Sequence, residues 1–304
     1  MTTLACVFPG QGSQSLGMLS ELANNFSLVG TTFEEASDAL GYDLWAITQN
    51  NADKLAQTEV TQPALLTASI ACLRVLQKEQ DIKPAYYAGH SLGEYTALVA
   101  ANVLTLAEAN NLVRARGQFM QQAVAPGEGA MYAIIGLDDE KIAQICQQVA
   151  ADTQLVVAPV NFNSPGQVVI AGAKSAADQA AAQIKEAGAK RALPLAVSVP
   201  SHCALMKGAS EQLAALMQDI VFSAPTVPVV NNVDVSICTN ENDIKDALVR
   251  QLYMPVQWTN SVQYLASNGV SQIIEVGPGK VLSGLIKRID KTISTSSVNS
   301  PADL

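Results

Sequence analysis

Residues Gly89-His90-Ser91-Leu92-Gly93 frame a serine between glycines, after an extended stretch over 85–88 and before an alanine-rich helical stretch over 94–101. A serine on a sharp strand-to-helix turn is forced into strained backbone geometry, and its neighbours must lack side chains so that strand and helix can approach. The same turn sets Oγ at a helix N-terminus, where free N–H groups and the positive end of the dipole favour a developing oxyanion. Acyl transfer is the chemistry implied. These five residues could also close an ordinary tight turn; the flanking strand and helix favour a nucleophile elbow. A serine hydroxyl needs a general base, usually histidine, and the chain has two, His90 and His202. His90 precedes the nucleophile, and in an elbow that side chain is expected to point away from the reacting face. His202, in Val199-Pro200-Ser201-His202-Cys203 after a strand-like run over 192–199, is the candidate base; its bland alternative is a satisfied loop histidine.

The elements around these residues must hold them. The 304 residues are 49% apolar, enough for a sizeable core. A net charge of −9 argues against nucleic acid as the main partner. The first basic residue is Lys54, so no signal or transit peptide is read at the N-terminus, and no apolar run is long enough to span a bilayer. Five scattered cysteines without a Cys-x-x-Cys pair fit reduced thiols in a cytosol and offer no metal site. Residues 4–8 read as a buried strand running into Pro9-Gly10-Gln11-Gly12. Helices are expected over 17–25, 32–40, 63–79 and 106–123, the last ended near Pro126-Gly127. This alternation indicates a mainly parallel α/β sheet. From Gly129 the order becomes strand 130–136, helix 138–151, strands 154–161 and 167–171, helix 176–187 and strand 192–199, the β-α-β-β-α-β signature of a ferredoxin-like unit. The expected fold class is therefore α/β: a large subdomain over 1–127 and 198–304 with a parallel sheet, and an inserted ferredoxin-like subdomain over 128–197. The Ser-rich tail after Thr292 is expected to be mobile.

Six blocks in order carry a resemblance covering essentially the whole chain: Phe8-Pro9-Gly10-Gln11-Gly12-Ser13-Gln14, Gly89-His90-Ser91-Leu92-Gly93-Glu94-Tyr95, Arg114-Ala115-Arg116-Gly117-Gln118-Phe119-Met120, Asn161-Phe162-Asn163-Ser164-Pro165-Gly166-Gln167, Val199-Pro200-Ser201-His202 and Glu275-Val276-Gly277-Pro278-Gly279. The chain resembles the malonyl-CoA:acyl carrier protein transacylases of type II fatty acid synthesis. The resemblance implies an α/β-hydrolase-like core and a ping-pong reaction in which Ser91 attacks malonyl-CoA, CoA leaves, and the phosphopantetheine thiol of acyl carrier protein collects the malonyl group. It implies His202 as base and acid, the Leu92 and Gln11 amides as oxyanion donors, and Arg116 as the carboxylate anchor, whose planar fork matches a carboxylate. Arg114, two residues away on another helix face, is read as a solvated surface residue. In this family a carbonyl acceptor orients the histidine, and Gln251 falls at the matching position; a neutral partner stabilises imidazolium less than a carboxylate does, so Gln251→Glu is expected to raise hydrolysis relative to transfer. Gln62, Asn161 and Asn163 are read as lining the site or as loop hydrogen-bonders.

The family's carrier protein is acidic, so docking on this acidic chain must be local; Lys280, Lys287 and Arg288, or Lys185, Lys190 and Arg191, are the candidates. No cofactor is expected, malonyl-CoA being a substrate, and the chain is expected to be a cytoplasmic monomer. The competing readings are a serine hydrolase or thioesterase, a trans-acting acyltransferase serving a polyketide carrier, and a catalytically silent scaffold.

Overall fold

A computed structural model describes residues 3–196 and 199–304. Its strands are β1 (Thr3–Phe8), β2 (Tyr86–Gly89), β3 (Gly129–Ile135), β4 (Val157–Ser164), β5 (Gln167–Ala173), β6 (Arg191–Pro194), β7 (Val229–Val230), β8 (Val270–Val276) and β9 (Ser294–Val298). One sheet runs β7-β2-β1-β8-β9 with every pairing parallel. The other runs β4-β5-β3-β6 with every pairing antiparallel. In the order of its own strands, the second sheet is the 2-3-1-4 arrangement of a ferredoxin-like unit. The α/β class and its two-sheet division are as the sequence indicates.

β1 explains why the parallel sheet reads as an unbroken apolar run. Its side chains alternate between two separate cores: Cys6 and Phe8 join one, Ala5 and Val7 the other. Helices cover both faces, so neither parity of the strand faces water. The helix Thr58–Glu79 is buried almost all round and packs on Leu106–Gln122, whose start is fixed by a capping box between Thr105 and Glu108. In the small sheet, the helices Asp139–Thr153 and Lys174–Glu186 contribute Ile142, Cys146, Val149 and Ile184 to a third core. The two units are tied together where the Val256 N–H donates to the Val160 carbonyl and the Phe162 N–H to that of Val256, both at 2.9 to 3.0 Å.

Several boundaries differ from the sequence reading. The helices expected from Thr32 and Pro63 begin earlier, at Ser27 and Thr58. The strand expected over 192–199 is β6, ending at Pro194; residues 197 and 198, with the expected subdomain junction, lie outside the described residues. The tail expected to be mobile instead forms β9, paired in register with β8 from Gln272↔Ser294 to Val276↔Val298. Backbone pairing is indifferent to serine side chains on an edge strand, and Ile293 and Val298 are buried. A capping box between Ser300 and Asp303 then closes the chain.

The positioning of the site rests on contacts too close for side chains. A Cβ on Gly93 would stand 2.1 Å from the Phe8 carbonyl oxygen, one on Gly89 1.9 Å from the Gly93 carbonyl carbon, and one on Gly10 2.4 Å from the His90 carbonyl oxygen. The loop after β1 and the turn after β2 are thus locked together at the carboxyl ends of adjacent parallel strands, where open α/β sheets place their ligands. Gly93→Ala must push backbone against backbone. We expect it to destabilise the fold by about 1–3 kcal/mol or more, read as a lower midpoint in urea unfolding; an unchanged midpoint would refute the close packing.

Candidate active site

Ser91 sits at φ 52°, ψ −104°, a positive-φ conformation outside the left-handed helical well that a residue with a side chain rarely adopts, directly before the helix Leu92–Ala100. The strain has identifiable restraints. The Ser91 N–H donates to Asn232 Oδ1 at 2.7 Å, and Asn232 Nδ2 donates to the Gly89 carbonyl at 2.7 Å, so one side chain bridges both sides of the turn. The Gly93 and Glu94 amides are bonded to the His90 and Ser91 carbonyls, while the Leu92 amide stands first in the helix, where intrahelical acceptors are lacking.

His202 Nε2 lies 2.8 Å from Ser91 Oγ, and His202 Nδ1 lies 2.6 Å from the backbone carbonyl oxygen of Gln251. A carbonyl can only accept, so Nδ1 carries the proton and Nε2 is left to accept from the serine. The carbonyl orienter at Gln251 is therefore its main chain. This corrects the expectation for Gln251→Glu: the substitution leaves the acceptor of His202 in place and sets a carboxylate against Arg116 instead.

Arg116 is 1% exposed. Its Nη1 donates to Gln62 Oε1 at 2.7 Å, and its Nη2 to Ser91 Oγ at 3.1 Å and Gln251 Oε1 at 2.9 Å. The guanidinium stands over the Tyr95 ring at 5.2 Å, and its Nε has no partner among the described residues. All of its hydrogen-bond acceptors are neutral. Because Oγ accepts from Arg116, its own proton is directed to His202. Burial, reinforced by the Arg116 charge, pushes His202 down to about 3, and burial pushes the Glu94 carboxyl up to about 7.

Ser91, His202 and Arg116 line one cavity of about 270 Å³ together with Gln11, Leu92, Asn161 and Asn163. Gln62 and Gln251 stand behind Arg116. His90, expected to face away, also lines this cavity; its Nε2 is 2.8 Å from Asn163 Oδ1 and its ring packs near Trp258. It is thus a wall that ties the elbow to β4. Arg114, expected in solvent, donates from Nη1 to the Leu40 carbonyl at 2.9 Å and fastens two helices. Lys280, Lys287 and Arg288 are exposed around the helix Val281–Ile289, whose Val281, Leu282 and Leu285 line the same cavity; Arg288 bonds Gln167 and Lys280 approaches Asp303. Lys185 is engaged with the carbonyls of Ala189 and Lys190.

Sequence reasoning assigned no role to Asn232, Glu94 or Tyr95. The last two follow the nucleophile in the same turn of helix, and Asn232 ends the segment after β7; a buried carboxyl one turn from a serine nucleophile was the available signal.

Residues 5–300 match the family model described as an acyl transferase domain. The chain is 62% identical over 303 residues to the malonyl CoA-acyl carrier protein transacylase of Escherichia coli K12, covering 99% of this chain and 97% of that one. It is 45% identical over 302 residues to the protein of the same name from Bacillus subtilis 168, covering 99% and 95%. The crystal structure of an acyl carrier protein S-malonyltransferase from Vibrio cholerae superposes with a TM-score of 0.96 at 57% identity, covering 99% and 98%. A malonyl-transacylase in complex with its type II PKS acyl-carrier protein superposes at 0.97 and 56% identity, covering 99% and 97%.

A depressed histidine keeps its base form as the pH falls. Acylation of Ser91 by a thioester should therefore show no acid limb near the ordinary imidazole value of about 6.5, and His202→Ala should abolish it. Pre-steady-state acylation from about pH 5 to 8, in the parent protein and in Glu94→Gln, checks this; a limb centred near 6.5 that persists in Glu94→Gln would mean that the imidazole is solvated.

Proposed function

The chain belongs to the malonyl CoA-acyl carrier protein transacylases of the acyl transferase family, and from that membership we propose how its own residues carry malonyl from malonyl-CoA to acyl carrier protein. The carrying observation is a serine held between a neutral imidazole and a buried guanidinium, at 2.8 and 3.1 Å. Ser91 Oγ attacks the thioester carbonyl while its proton passes to His202 Nε2. The Leu92 and Gln11 amides receive the oxyanion; losing one such donor costs about 10²–10³ in rate. Collapse expels the CoA thiolate, which takes the proton back from His202 and leaves a malonyl-serine. The carrier's phosphopantetheine thiol then repeats the steps in reverse. These steps are redox-neutral and need only a nucleophile, a base and oxyanion donors, so no cofactor is assigned.

Arg116 receives the malonyl carboxylate. A charge-assisted bond is worth roughly 1.5–3 kcal/mol net, or about one to two orders of magnitude in favour of malonyl over acetyl. Asn161 and the His90–Asn163 pair shape the cavity wall. We assign the large subdomain to 1–127 with 198–304 and the small one to 128–197, and read the protein as a cytoplasmic monomer supplying fatty acid synthesis; no helix among the described residues is long and apolar enough to cross a membrane. One relative's complex with a type II PKS carrier favours a second reading, polyketide supply, and transfer assays with both carrier classes separate the two.

Mixing the protein separately with malonyl-CoA and acetyl-CoA and weighing the intact chain tests the assignment. Malonyl addition should dominate, vanish in Ser91→Ala, and lose its advantage over acetyl by about 10- to 100-fold in Arg116→Ala. Steady CoA release without an adduct would point to a hydrolase.

Lys280, Lys287 and Arg288 flank the cavity mouth and form the carrier-docking surface in this reading. Transfer to carrier protein should weaken as salt rises, while acylation by malonyl-CoA holds; charge-reversing Lys287→Glu should reproduce the loss. Equal salt sensitivity of the two half-reactions counts against this surface.

A further inference from the structure

We propose that Glu94 is a positioning residue for acyl-group selection: by fixing the side-chain amide of Gln251, it holds the Arg116 guanidinium in its carboxylate-binding pose. The inference rests on the reading above, in which Arg116 takes the malonyl carboxylate.

A primary amide has an accepting end and a donating end, and only one orientation suits a cation. Gln251 presents Oε1 to Arg116 Nη2 at 2.9 Å; the reversed amide would set N–H donors against a guanidinium that has no lone pair to offer. The correct orientation is imposed from the other end. Gln251 Nε2 donates to Glu94 Oε2 at 2.8 Å and to the Ser91 carbonyl at 3.0 Å. The carboxylate is the stronger of these acceptors. The same Glu94 oxygen accepts the Asn232 N–H at 3.0 Å, and Asn232 is the residue that bridges the elbow. One carboxyl oxygen therefore aligns the selector and the strained turn together.

The relay also explains why the acid is not bonded to Arg116 itself. Glu94, Gln251, Asn232 and Arg116 are all buried, at 3%, 0%, 0% and 1% exposure. An arginine already paired with a carboxylate has its fork occupied. A glutamate one amide away orients the relay and leaves the guanidinium with neutral partners that a substrate carboxylate can outcompete. Glu94 has no bond to Ser91 Oγ or His202; its route to the acyl selector runs through Gln251 and Arg116, while its bond to the Asn232 N–H reaches the elbow and bears on both substrates alike.

The test is the ratio of malonyl to acetyl acylation rates at Ser91 in soluble variants. Glu94→Ala frees the Gln251 amide and should lower the ratio at least about tenfold, chiefly by slowing malonyl-CoA. Glu94→Gln keeps an accepting oxygen in the same place and should retain the ratio within about threefold. In an Arg116→Ala background, Glu94→Ala should leave the ratio where Arg116→Ala put it. If Glu94→Ala does not fold, Glu94→Asp, one methylene short of Gln251, replaces it and should show the same drop. Equal slowing of both substrates, or a ratio unchanged by Glu94→Ala, overturns the proposal. An unchanged ratio in Arg116→Ala alone instead overturns the carboxylate-anchor reading beneath it.

Discussion

A guanidinium buried at 1% exposure without a carboxylate at its fork constrains everything around it. Desolvating a cation costs several kcal/mol unless hydrogen bonds and counter-charge compensate, and here the compensation is distributed over Gln62, Gln251, Ser91 and the Tyr95 face. These partners come from separate stretches of chain, so the cation dictates how the helices Thr58–Glu79, Leu92–Ala100, Leu106–Gln122 and Glu241–Gln251 must converge. A hydrophobic residue of similar size would pack there at lower cost. What the arginine provides is a positive charge in the lining of the cavity, beside the serine.

The nucleophile imposes a second constraint, which the parallel sheet resolves. Ser91 and His202 both have positive φ, at 52° and 63°, and such conformations persist only where the surroundings over-determine them. Glycines at 10, 89 and 93 let the ends of β1 and β2 pack backbone to backbone. The Asn232 side chain pins the serine amide, and the His202 N–H is bonded to the Leu252 carbonyl at 2.9 Å. The hydrogen bond from His202 Nδ1 to the neighbouring Gln251 carbonyl then places the histidine by two consecutive backbone groups. The base is aimed by the main chain, which releases the Gln251 side chain to serve Arg116.

The nucleophile and its base were legible in the sequence because their signals are local or eliminative. Gly89, Ser91 and Gly93 lie within five residues, and only two histidines compete. The second layer was not, because its contacts join residues 138 and 157 positions apart, Asn232 to Glu94 and Gln251 to Glu94. Nothing in a run such as Val229-Val230-Asn231-Asn232 tells whether the amide at its end meets water or a strained turn. His90 failed for a related reason: the elbow geometry was right, but its partner Asn163 arrives from the other sheet. The alternation of strands and helices specified the small sheet and, in the large one, β1 and β2; β7 and β8 were not read as strands, and the serine-rich edge strand β9 was hidden, since composition records side chains and an edge strand is held by backbone.

Selection and catalysis are also electrically coupled in this arrangement. The Arg116 charge adds to burial in depressing His202, and its Nη2 donates to Ser91 Oγ. It therefore favours a neutral imidazole and a serine proton turned toward it, and it opposes formation of imidazolium. In the reading proposed above, a carboxylate seated on Arg116 would offset that charge and lower the cost of protonating His202 during attack. An acetyl group would leave the charge uncompensated, so the cation that lacks a binding partner for acetyl would also weaken the base in front of it. In the proposed reading, discrimination by the buried arginine would thus act on the transition state as well as on binding, and it is in the transition state that selectivity between competing substrates is decided.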